Sequence, residues 1–293
     1  MTPEDAPPSE PERQTTPFLV LQFFIFPMAI VAVCVAVFVI FGMIASEGKG
    51  VRDYLAEVRT GSANRRWQAA FELSKVLQAR KDKVLEDPAF ADELTKVFEE
   101  SADDDPRVRR YLALALGRLG SVRAVTALLQ AAQGSEKAAA DSETRIYAVW
   151  ALGAIGDPSA LPGLLELARA EDPGLRKAVV HALGSFPDPR SAEGLAAALS
   201  DPVEDVRWNA GLALARRRDP RAAPVLLQMM DRAHLATIAD LTPEQREEAI
   251  EQAAAAAGAV PDPALRGALQ GLVDGDPSPR VKEAARRALA PQP

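Results

Sequence analysis

Aromatic residues make up 5% of this 293-residue chain, and it contains one cysteine, Cys34, and two histidines, His181 and His234. A single cysteine excludes an intramolecular disulfide. Two histidines with one cysteine give no spacing that resembles a zinc or iron site, so no metal and no cofactor is expected. The scarcity of aromatics argues against one large core and for many small helix–helix contacts built from leucine and alanine. No glycine-rich phosphate loop and no nucleophile elbow occurs. No segment alternates polar and apolar residues with period two, so no sheet is expected. The formal charge of −7 argues against nucleic acid as a partner, because phosphate binding needs clustered Lys and Arg.

Charge is also missing locally. No charged residue occurs between Arg13 and Glu47, and the 23 residues from Phe23 to Ala45 are apolar. At 1.5 Å per residue such a run is long enough to cross a hydrocarbon core of ~30 Å. A cleaved signal peptide would start basic, whereas this start carries Glu4, Asp5, Glu10 and Glu12 against Arg13 alone. The expectation is therefore a single transmembrane helix over 18–45, behind an acidic, proline-rich, disordered tail over 1–17. Lys49, Arg52, Arg59 and Arg65 follow the run. By the positive-inside rule they place the C-terminal part in the cytoplasm and the N-terminus outside. A linker and capping helix is expected over 46–61.

What the chain has in abundance is repetition. The segments VRRYLALALGRLG from Val108, TRIYAVWALGAIG from Thr144, LRKAVVHALGSFP from Leu175 and VRWNAGLALARRR from Val206 are copies of one pattern. Weaker copies start at Arg65, Gln245 and Val281. Each carries a basic residue seven positions before an Ala or Leu: Arg66, Arg109, Arg145, Arg176, Arg207, Arg246 and Lys282. The intervals are 43, 36, 31, 31, 39 and 36 residues, a unit of 31 with loop insertions. A turn, often Asp-Pro, and a second apolar segment at helical spacing follow each strong copy, so every unit is a helix pair. One pair cannot bury its apolar face alone, and stacked pairs share a continuous core. Ala115, Ala151, Ala182 and Ala213, with Gly117, Gly153 and Gly184, are small enough for close helix approach. The repeated arginines are expected to bond to turn carbonyls or neighbouring acids. Gly134–Glu143 reads as a surface loop, and Thr242-Pro243-Glu244-Gln245 as a capped helix start.

These segments resemble HEAT repeats, in particular the short variety named after phycobilisome lyases, over residues 62–290. The resemblance implies an all-α, right-handed solenoid of about seven helix pairs, the last incomplete, here preceded by the membrane helix. It specifies architecture and leaves function open. Deoxyhypusine hydroxylase, an enzyme of this type, holds iron through His-Glu pairs, and this chain has no His-Glu dipeptide. Nothing identifies a tetrapyrrole site of the bilin-lyase kind, and the row Gln130, Glu166, Ala197 and Gln228, expected to face the concavity, is not basic.

The three tryptophans are the remaining signal. With the repeat arginine at zero on a helical wheel, the core stripe centres near about 280°, while Trp67, Trp150 and Trp208 fall at about 100–140°. They are expected to point away from the core and to mark a protein-binding surface, since exposed tryptophan is enriched at interface anchors. Adjoining loops or the superhelical turn would cover them in the alternative. The function expected is non-enzymatic: a membrane-tethered scaffold that binds a protein or peptide on the solenoid. An accessory subunit assembled through its membrane helix is the second reading, and a bilin-lyase-like enzyme the third.

Overall fold

The computed structural model of the protein describes residues 25–45, 49–79, 87–134 and 141–290. The 1–17 tail and most of the Gly134–Glu143 loop lie outside the described residues; at the loop's end, Ser142 already begins a helix. The chain divides into two units, 1–50 and 51–293.

In the first unit, helix α1 (Phe26–Ala45) exposes apolar side chains on all sides, Phe38 most of all. Yet among the described residues no helix is long and apolar enough to cross a membrane. This overturns the expected transmembrane helix over 18–45. The orientation drawn from the flanking charges rests on that span.

The second unit is an all-helical repeat solenoid, with no strand among its described residues. It opens with α2 (Val51–Thr60), which buries Val51, Leu55 and Val58. Six helix pairs follow: α3 (Ala63–Gln78) with α4 (Pro88–Glu100), α5 (Pro106–Leu119) with α6 (Val125–Gln133), α7 (Ser142–Ile155) with α8 (Leu161–Leu167), α9 (Pro173–Leu183) with α10 (Pro189–Ala198), α11 (Glu204–Arg216) with α12 (Ala223–Met230), and, after a short inserted helix α13 (Arg232–Ala236), α14 (Pro243–Ala257) with α15 (Pro263–Gly275). The lone α16 (Pro279–Leu289) closes the array. First helices stack on one another from α2 through α3, α5, α7 and α9 to α11, and second helices from α4 through α6 and α8 to α10. At the insertion this order changes, and α14 packs more on α12 than on α11.

The Asp-Pro pairs do more than stop one helix. Asp87, Asp105, Asp172, Asp188 and Asp262 are the N-caps of the next helix, each accepting a backbone N–H two residues on, with Pro at the first helical position. Two of these turns, and a third at Asp219 that opens the 3-10 turn Pro220–Ala222, read Asp-Pro-Arg. In them the Arg two residues on, Arg107, Arg190 or Arg221, donates to the capping carboxylate of Asp105, Asp188 or Asp219. That hydrogen bond is the main reason these three aspartates are held below the ordinary carboxylate range. Thr242 caps α14 in a reciprocal box with Gln245.

Small residues set the spacing of the first-helix layer. A Cβ built on Gly117 would stand 2.7 Å from the Ala151 Cα, and one on Gly153 would stand 2.8 Å from the Ala182 Cβ and 2.9 Å from its Cα. Backbone cannot give way as a flexible side chain can. Gly153→Ala is therefore expected to cost about 1–3 kcal/mol in overpacking, more than the roughly 1 kcal/mol of helix propensity it gains. Gly267→Ala on α15, where nothing lies within 4 Å, has only the gain. Urea unfolding of the two variants should move their midpoints in opposite directions.

An aromatic groove on the first-helix face

The repeat arginines start the site because they fix the register of the first helices. Arg66, Arg145, Arg176, Arg207 and Arg246 donate to the carbonyls of Val58, Ala132, Ala170, Asp201 and Ile238, each just before its own helix. Arg176 goes further: Nε and Nη2 hold the Asp201 carboxylate at 2.8 and 3.0 Å. Equivalent positions of successive helices thereby come into line.

Positions one, two and five after the arginine line a groove of about 590 Å³ across α7, α9 and α11. Its walls are Ile146, Tyr147 and Trp150 of α7, Lys177 and His181 of α9, and Asn209 of α11. Trp150 is 43% exposed and its ring lies 5.1 Å from that of Tyr147, centroid to centroid. The charges at the rim are already matched. Lys177 pairs with Asp205 at 2.6 Å, and Glu143 pairs with Arg110. Asn209 donates to the Asp205 carbonyl. The walls hold no activated nucleophile; what the groove offers is apolar and aromatic area to bury against a partner.

The structure separates the three tryptophans. Trp150 is on the groove. Trp67 is half-buried, donates from Nε1 to Asn64 Oδ1 at 2.9 Å and is covered by the Arg107 guanidinium, 4.7 Å from its ring centroid. Trp208 is only 9% exposed and belongs to the core, with its Nε1 donating to nothing. It therefore leaves the expected surface. One helical turn before Trp208 on the same side of α11, Glu204 bonds to His234 of the inserted α13.

Other aromatics take its place. Phe71 of α3, 37% exposed, meets Tyr111 of α5 edge-on at 5.1 Å, and with Tyr147 and Trp150 they give four aromatics on α3, α5 and α7. Tyr111 and Tyr147 share position two, and Phe71 and Trp150 share position five. The signal was in the repeat alignment, in any aromatic at these positions and not in tryptophan alone. Of the second-helix row, Gln130, Glu166, Ala197 and Gln228 are all exposed.

Residues 135–205 match the family described as HEAT repeats, and residues 108–134 and 206–232 match the PBS lyase HEAT-like repeat. No curated protein matches the chain. Among solved structures, the complex of CpcE and CpcF of phycocyanin lyase from Nostoc sp. is similar at 22% identity over 84% of this chain and 97% of that one, with a TM-score of 0.52. Human deoxyhypusine hydroxylase in complex with glycerol is similar at 20% identity over 82% and 94% of the two chains, with a TM-score of 0.34. An engineered protein reaches 18% identity over 83% of this chain and 68% of its own, with a TM-score of 0.45. The matched segments carry HEAT-type repeats, and the likeness to the lyase complex is one of fold.

Proposed function

We propose that the solenoid is a non-enzymatic interaction scaffold and that a protein partner seats an apolar or aromatic side chain in the groove beside Trp150. The observation that carries this reading is Trp150 itself: a large ring 43% exposed on a wall it shares with Tyr147, above a rim whose charges are already paired. Burying such a ring is the usual contribution of an interface anchor. The rigid stacking of α7 on α9 and of α9 on α11 keeps the groove preformed, which lowers the ordering cost of binding. A bilin-lyase-like enzyme, the alternative from another class, is supported by likeness of fold alone.

Co-purification of the full chain and of its Trp150→Ala variant, with the recovered partner then titrated against both, tests the proposal. The variant should weaken binding by ~2 kcal/mol or more, roughly thirtyfold, and leave the melting temperature nearly unchanged. A partner that binds the variant as tightly as the parent would overturn the assignment.

A further inference from the structure

The aromatic face carries hydrogen-bond donors that the protein itself does not use. Trp150 Nε1 and the hydroxyls of Tyr111 and Tyr147 make no hydrogen bond among the described residues. Both hydroxyls reach solvent, unlike the buried Nε1 of Trp208, and the Trp150 ring is exposed. The repeat sets these donors in order. Tyr111 and Tyr147 hold position two of α5 and α7, which stack directly on one another. Each phenol has a second ring beside it, Phe71 next to Tyr111 and Trp150 next to Tyr147, both at 5.1 Å. Packed helices lie ~8–10 Å apart, so ring pairs at equivalent positions recur at about that interval.

Free donors on the wall select the backbone that can sit against it. A helix or a paired strand spends its carbonyls on its own hydrogen bonds. A polyproline II segment makes none internally, and its carbonyls stay free to accept. Its turn is three residues of 3.1 Å, about 9 Å, so successive turns keep step with successive first helices. Tyr and Trp suit such a segment, since each presents an apolar body for the proline ring and a polar tip for the carbonyl. Charge selects in the same direction. Around these rings Lys75 pairs with Glu72, Arg110 with Glu143 and Lys177 with Asp205. A wall whose charges are matched among themselves favours an uncharged occupant.

We propose that the first-helix face from α5 to α9 takes an uncharged, proline-rich segment of a partner protein in the polyproline II conformation. Trp150 Nε1 and the hydroxyls of Tyr111 and Tyr147 donate to its carbonyls. This rests on the groove being an interaction site and adds the chemistry of its occupant.

Calorimetric titration of the full chain with a polyproline peptide of about ten residues, roughly three turns, tests the proposal, with a glycine–serine peptide of equal length as the control. Polyproline should bind saturably and the control should not. Tyr147→Phe and Trp150→Phe each keep a ring and remove one donor. Each should weaken binding about two- to tenfold, the worth of one hydrogen bond, while circular dichroism stays that of the parent. Trp67→Phe, at a ring covered by the Arg107 guanidinium, should bind as the parent does. No saturable binding, equal binding of the two peptides, or parental affinity in either donor-deleting variant overturns the assignment. A recovered partner that needs Trp150 while polyproline does not bind would overturn it too, and would leave the groove an interaction site for another kind of occupant.

Discussion

Trp208→Ala is expected to destabilise the solenoid by about 3–5 kcal/mol, the cost of removing a large ring from a packed site and leaving a cavity. Trp150→Ala should cost at most about 1 kcal/mol, because much of that ring is already in water. The two residues come from copies of one repeat, and the contrast arises from what covers them. Trp208 lies on α11, packed into the core, and His234 reaches Glu204 one turn before it; Trp150 lies on α7, where the groove is open. Trp208→Phe should fall between the two, since it keeps most of the packing and removes an indole N–H that has no acceptor. Urea unfolding of the three variants decides the matter, and equal losses for Trp150→Ala and Trp208→Ala would contradict this account of the two faces.

The second large effect is expected at Asp201. Its side chain is 8% exposed and that of Arg176 is 11% exposed. The pair locks α9 to the turn before α11, because Arg176 also holds the Ala170 and Glu171 carbonyls and Asp201 Oδ1 accepts the Val203 N–H at 2.9 Å. Asp201→Ala leaves the guanidinium without its counter-charge and should cost about 3 kcal/mol. The Arg176 hydrogen bond is the main reason the Asp201 carboxyl sits below its ordinary pKa, with burial opposing it and the Val203 N–H assisting. A depressed folded-state pKa adds stability above the unfolded value of about 3.9 and loses it as pH falls through the folded value. The stability gap between the parent and Asp201→Asn, which cannot ionise, should therefore be flat above about pH 5 and close below about pH 4. A gap that widened on acidification would mean that the carboxylate is not the stabilising form.

By itself the sequence determined the helical repeat. Apolar residues at helical spacing, a basic residue seven positions before Leu or Ala, and Asp-Pro at the turns are local signals. The physics behind them is local too: amphipathic faces, capping carboxylates, and a ring that suits the first helical position. The glycines and alanines of the first-helix layer were legible for the same reason, since a missing Cβ limits how close two backbones can come wherever the pattern recurs. Tertiary structure alone decided which ring is buried. A helical wheel treats each helix as having one core side, but α11 buries residues around most of its circumference because α9, α10, α12 and α14 all pack on it, neighbours no wheel includes. The 39-residue interval between Arg207 and Arg246 announced an insertion without saying which face it would cover. The isolation of Arg109 was equally out of reach. Its place in the repeat matches that of the other arginines, yet its buried Nε has no acceptor, because whether a carbonyl comes within reach is settled by distance in space, which spacing along the chain does not fix.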